Sequence, residues 1–183
     1  MGNPPMDLIY TEPTGVAACQ LPAATTDYPD ALLLGIYRTT RTIAMVGASP
    51  NWNRPSYFVM RYLQRKGFRV IPVNPRALGQ EILGETVYPD LESIPIPVDV
   101  VDVFRRPDET PAIARSAVAI GAKVLWLQLG IRNAEAARIA EAGGLTAIED
   151  HCMKIEYGRL GGELAWTGVN TRILSSRRAR LLG

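Results

Sequence analysis

The chain has one histidine and two cysteines among 183 residues. A structural zinc site takes four such ligands, and a disulfide framework takes evenly spaced cysteine pairs. Cys19 stands in a Pro- and Thr-rich leader and Cys152 near the end of the core. Neither a metal site nor a disulfide scaffold is therefore expected, and a reducing compartment fits. No charge of one sign dominates either: 20 Lys and Arg against 18 Asp and Glu leave a formal +2. That balance argues against a nucleic-acid groove or a polybasic membrane patch and makes any anion site a local one. No apolar run approaches the roughly 18 to 20 residues that a membrane-spanning helix requires. Met1 to Thr14 hold no basic segment followed by an apolar stretch. The expectation is a cytoplasmic protein, neither exported nor membrane-bound, with no nucleic-acid partner.

With 47% hydrophobic and 21% charged residues, the chain has material for one globular core. Pro4, Pro5, Pro13, Gly15 and Pro22 interrupt any periodic apolar face at the start, so residues 1–28 read as a flexible extension. Residues 161–183, with Arg172, Arg177, Arg178 and Arg180 among Leu and Ser, read as a solvated tail. Between them, residues 29–160 form the expected domain.

Within that domain, Ala31, Leu33, Leu34 and Tyr37 recur at helical spacing after Asp30, which suits a cap. Thr42 to Val46 is a continuous apolar run closed by Gly47, as a strand buried on both faces requires. Ser56 to Lys66 carries a helical stripe of Phe58, Val59, Tyr62 and Leu63 ended by Gly67. Further strands are expected at Arg69 to Val73, Val98 to Val103, Lys123 to Gln128 and Thr146 to Glu149, with helices at Pro107 to Ile120 and Asn133 to Ala142 and a turn-rich crossover after the second strand. Strands alternating with helices call for right-handed crossovers. The expected fold is α/β: a Rossmann-like, doubly wound, mainly parallel five-stranded sheet with helices on both faces. Ligands of such sheets bind beyond the carboxyl ends of the strands, where the strand order reverses.

Four strand-end loops are therefore candidates. Gly47 to Ser56 holds the phosphate position of the fold, with Gly47 for the turn, Ser49 for a hydroxyl, and Arg54 before a helix whose free N–H groups suit an anion. The G-x-G-x-x-G fingerprint of dinucleotide enzymes is absent, and Trp52 would obstruct a close pyrophosphate. After the second strand, Asn74, Pro75 and Arg76 replace the acid that holds the ribose of NAD, which suits a phosphorylated ribose such as that of coenzyme A or NADP. After the third, Val103, Phe104 and Arg105, with Arg106, offer an aromatic plane and positive charge to an adenine nucleotide. Gln128, Leu129 and Gly130 add an amide and a flexible backbone. His151, with Asp150, Cys152 and Glu156 nearby, lacks the partners of a catalytic set.

Taken together, IAMVGAS at Ile43 to Ser49, VIPVNP at Val70 to Pro75, ILGETVYPDLESIP at Ile82 to Pro95, VDVVDVFRRP at Val98 to Pro107 and GAKVLWLQLGI at Gly121 to Ile131 resemble the stand-alone CoA-binding domain proteins. These are relatives of the N-terminal domain of the succinyl-CoA synthetase alpha subunit. EDHCMKIEYGRL at Glu149 to Leu160 is similar to the family's closing motif, with His151 in place of an arginine. The resemblance implies coenzyme A or acyl-CoA as ligand, with Gly47, Ala48, Ser49 and Arg54 near its diphosphate, Asn74, Pro75 and Arg76 near its 3′-phosphoribose, and Val103, Phe104 and Arg105 flanking adenine. In the synthetase relatives a phosphorylated histidine and a triphosphate site lie in further domains, for which this chain is too short. The expected function is binding without catalysis. An NADP-binding oxidoreductase-like protein, or a regulatory module that pairs with itself or another protein, are the alternatives.

Overall fold

The computed structural model describes residues 28–161. Cys19, the tail arginines and nearly all of the expected extension and tail lie outside the described residues. The chain runs α1 (Asp30–Thr39), β1 (Thr42–Val46), α2 (Pro55–Arg65), β2 (Arg69–Val73), β3 (Glu81–Ile82), β4 (Glu85–Thr86), β5 (Val100–Val103), α3 (Thr110–Ala119), β6 (Val124–Leu127), α4 (Ala134–Ala142), β7 (Thr146–Ile148) and α5 (Met153–Leu160). Five strands form one parallel sheet in the order β2-β1-β5-β6-β7, the expected doubly wound α/β architecture.

The strands are apolar throughout because both faces are covered. On one face Ile43, Met45, Val70, Val100 and Trp126 pack with Leu33 of α1, Val59 of α2 and Tyr157 of α5. On the other, Ala44, Val101, Val103 and Leu125 meet Ala114 and Ala117 of α3 and Ala136 and Ala140 of α4. The Tyr37 hydroxyl donates to the Met153 carbonyl at 2.8 Å, tying α1 to α5.

Two local expectations change. The helix expected from Pro107 starts instead as a single 3₁₀ turn, Pro107–Glu109, before α3. Pro111 suits a first helical turn, where no N–H is required, and the Thr110 hydroxyl closes the preceding turn on the Pro107 carbonyl at 2.7 Å. Asp30 is not the cap of α1 but its first residue, after Pro29, and its carboxylate pairs with Arg159 of α5 at 2.7 Å. The crossover from β2 to β5 is turn-rich, as expected, with a 3₁₀ turn at Pro75–Ala77 and the antiparallel pair β3–β4.

Candidate ligand-binding cleft

Reversal of the strand order falls between β1 and β5, because one crossover leads outward to β2 while the later ones lead to β6 and β7. The loops leaving β1 and β5 therefore diverge to opposite faces and leave a crevice. A cleft of about 760 Å³ lies there, lined by residues that follow β1, β2, β5 and β6 and by the start of α2. That is ample for much of a nucleotide-sized ligand.

Gly47 makes the crevice possible. Its φ is +86°, and a Cβ there would sit 2.5 Å from the Phe104 carbonyl oxygen and 2.9 Å from Arg105 Cδ, so only glycine lets the two loops meet. Its N–H donates to the Val73 carbonyl at 2.9 Å. Asn74 holds the same region from β2: Nδ2 donates to the Ala48 carbonyl at 2.8 Å, and Oδ1 accepts the Arg76 N–H at 3.0 Å. The Ser49 hydroxyl accepts the Asn51 N–H at 3.2 Å, and the Ser49 N–H donates to the Ser56 hydroxyl at 3.2 Å. Arg54 is the N-cap of α2, whose first turn has no side-chain cap and opens on the cleft.

Of the expected site residues, Gly47, Ser49, Arg54, Asn74, Arg76, Phe104, Arg105 and Gln128 line the cleft. Ala48 is buried beneath it. Val103 turns into the core of the opposite face. Pro75 lines an adjoining cavity of about 380 Å³ that shares Gly47, Asn74 and Arg105 with the cleft. Gly130 lies back from the cleft, with its N–H donating to Asp150 Oδ1 at 2.6 Å. Trp52, expected as an obstruction, is 69% exposed and is not in the cleft wall.

Four arginines and no acid line the cleft, but they are not equivalent. Arg105 donates from Nε to Glu109 Oε2 at 2.8 Å, while Arg106 spans Glu109 at 3.1 Å and Asp108 at 3.2 Å. The Arg105 guanidinium holds the Glu109 carboxyl below its ordinary range. Arg54 and Arg76 are exposed and form no ion pair among the described residues. Within the cleft, the positive charge that has no ion-pair partner among the described residues thus lies at the ends of β1 and β2.

From the sequence Asp102 could be held by the arginines after β5, but those pair with Glu109 and Asp108 instead. Asp102 is fully buried in β5, accepts Gln128 Nε2 on Oδ1 at 2.7 Å and leaves Oδ2 without a partner. Burial pushes its carboxyl up to about 7 against the lowering effect of the Gln128 hydrogen bond. Cys152 also reaches the cleft wall, and burial pushes its thiol up. His151 points elsewhere: its Nδ1 lies 2.7 Å from the Glu149 carbonyl, its ring meets Tyr28 edge-on, and it lines a separate cavity beside α1. Asp150 is occupied by Arg132 at 2.7 Å and by Gly130, which hold its carboxyl below the ordinary range.

Among the described residues no helix is long and apolar enough to cross a membrane. Comparison with known proteins gives the fold a lineage. A Bacillus subtilis (strain 168) protein named uncharacterized protein YneT is 36% identical over 122 residues, or 67% of this chain and 89% of that one. A solved structure of a hypothetical protein from Pyrococcus horikoshii OT3 superposes with a TM-score of 0.70 at 38% identity, covering 73% of this chain and 92% of that one. The apo form of dinucleotide forming acetyl-coenzyme A synthetase 1 from Ca. Korarchaeum cryptofilum gives a TM-score of 0.52 at 26% identity, over 58% of this chain and 25% of that one. Residues 41–158, from the start of β1 to within two residues of the end of α5, match the family described as CoA binding domain, and the chain belongs to that family.

Proposed function

We propose that this protein is a cytoplasmic, non-catalytic binder of coenzyme A or a CoA thioester, with the nucleotide end held at the carboxyl edge of the sheet. The observation that carries this reading is a switch-point cleft with four arginines and no acid in its wall, a donor set suited to a ligand with several phosphate groups. Arg54, the Gly47 to Ser49 backbone and the uncapped start of α2 receive the diphosphate. Arg76, with no ion-pair partner among the described residues, takes the 3′-phosphate, and Phe104 with Arg105 flanks adenine. Asn74, Ala48, Pro75, Val103 and Gly130 shape the site from behind, Asn74 by clamping the first two loops together. Coenzyme A would supply the thiol that carries acyl groups as thioesters. On the protein side, His151 turned away from the cleft and Asp150 tied to Arg132 support binding without turnover.

The test is thermal denaturation with coenzyme A, NADP and NAD at equal concentrations, with free thiol measured after incubation with acetyl-CoA. Coenzyme A raises the melting temperature most, through preferential binding to the folded state, and no thiol accumulates above the uncatalysed rate. Equal or greater stabilisation by NADP would replace this reading with the oxidoreductase-like one.

A further inference from the structure

Asp102 is hard to account for by stability alone. It lies in the centre of the sheet with Met45 of β1 and Trp126 of β6 as register neighbours. It is 0% exposed, and no cation pairs with it among the described residues. An apolar side chain there would avoid the desolvation of a carboxylate supported by one neutral donor. The titratable groups that feel its charge are Tyr37 of α1 and Cys152 before α5, and burial raises the pKa of both, so neither supplies a counter-charge. The one hydrogen-bond partner of its side chain among the described residues, Gln128, is itself a residue of the cleft wall.

We propose that Asp102 is a positioning residue: by accepting Gln128 Nε2 it turns Gln128 Oε1 toward the cleft, so that the floor of the site presents an acceptor to an N–H group of the ligand. The inference rests on the reading that the cleft binds coenzyme A, whose adenine amine and pantetheine amides are donors of that kind. An ionised carboxylate only accepts, so Gln128 has to offer it the amino half of the amide. Oxygen and nitrogen of a terminal amide diverge from one carbon, so the oxygen then faces away from Asp102. An asparagine at position 102 would pair with either half of Gln128 and leave its orientation unfixed.

The experiment is a double-mutant cycle on coenzyme A affinity, by calorimetry at pH 8, with the intact protein, Asp102→Asn, Gln128→Met and the double variant. Asp102→Asn is expected to weaken binding roughly three- to tenfold, the worth of one neutral hydrogen bond, and to have no further effect once Gln128 is methionine. Equal weakening in both backgrounds, or tighter binding by Asp102→Asn through relief of charge repulsion, overturns the inference. If the intact protein does not bind coenzyme A, the functional reading fails instead. Gln128 is then followed in the ligand-free protein by the NMR signals of its side-chain amide. At pH 8 one N–H of that amide should be displaced downfield by its bond to the carboxylate in the intact protein, and Asp102→Asn should remove the displacement. The same amide signals in both proteins overturn the positioning role, and this measurement also decides the matter if Gln128→Met does not fold.

Discussion

Replacing Asp102 by asparagine should make the protein more stable as the pH rises, and the size of the gain follows from the burial of the carboxyl. In the folded chain the group titrates at about 7, against an ordinary 3.8. The folded state therefore holds a proton that the unfolded state has released between those values, and stability falls as pH rises through that window. Each unit of displacement is worth about 1.4 kcal/mol, so the full penalty of ionisation is about 4 kcal/mol above pH 7. More than half of it develops between pH 5 and pH 8. Asparagine occupies nearly the same volume without titrating, so Asp102→Asn omits that term. The acids whose carboxyls are held low, Asp30, Asp99, Glu109 and Asp150, act in the opposite sense. They lose stabilisation as pH falls below the ordinary carboxylate range, and because both proteins contain them they cancel in the difference. Urea denaturation of the two proteins at pH 5, 6, 7 and 8 gives that difference directly. The advantage of Asp102→Asn should widen by on the order of 2–3 kcal/mol across the series. Two stability curves that run parallel from pH 5 to pH 8 would refute the assignment of Asp102 as a buried acid titrating near neutrality.

Two further substitutions address the loops. Gly47→Ala forces a Cβ against the Phe104 carbonyl at a positive φ, and by urea denaturation it should cost on the order of 1–3 kcal/mol; unchanged stability would mean the β1 and β5 loops do not pack as described. Arg76→Ala should weaken coenzyme A roughly tenfold while leaving dephospho-CoA nearly unchanged, since only the former carries the phosphate that a charge-assisted bond would hold. Equal losses for both ligands in calorimetric titrations would move that role to Arg105 or Arg106.

The strands were the most legible part of the molecule, because a run such as Thr42 to Val46 has no polar face to show and so reads as buried on both sides. α5 was not read as a helix. Its sequence, MKIEYGRL, has a glycine in its last turn and a weak apolar stripe, and Cys152 gives no side-chain cap to mark its start. The pair β3–β4 has two residues a side, too short for alternation to register. At the site, the loops and most of their lining residues followed from the fold, yet their internal bonds did not. Glu109 stands four residues after Arg105 and three after Arg106, a spacing that could have warned that both arginines share an acid. Asp102 was harder to see: in VDVVDV, Asp99 and Asp102 lie three apart and point to opposite faces of a strand. The pattern gives no ground for distinguishing the aspartate that meets Lys123 at 2.7 Å from the one that is fully buried.

Mapping of backbone amide shifts during titration with coenzyme A tests the central claim most directly, because it reports both whether the ligand binds and where. The account predicts saturable shifts concentrated at Gly47 to Ser49, Ser56, Arg76 and Phe104 to Arg106, with the amides around His151 and Tyr28 unmoved. No saturable shift, or shifts centred on the cavity between α1 and His151, would contradict it.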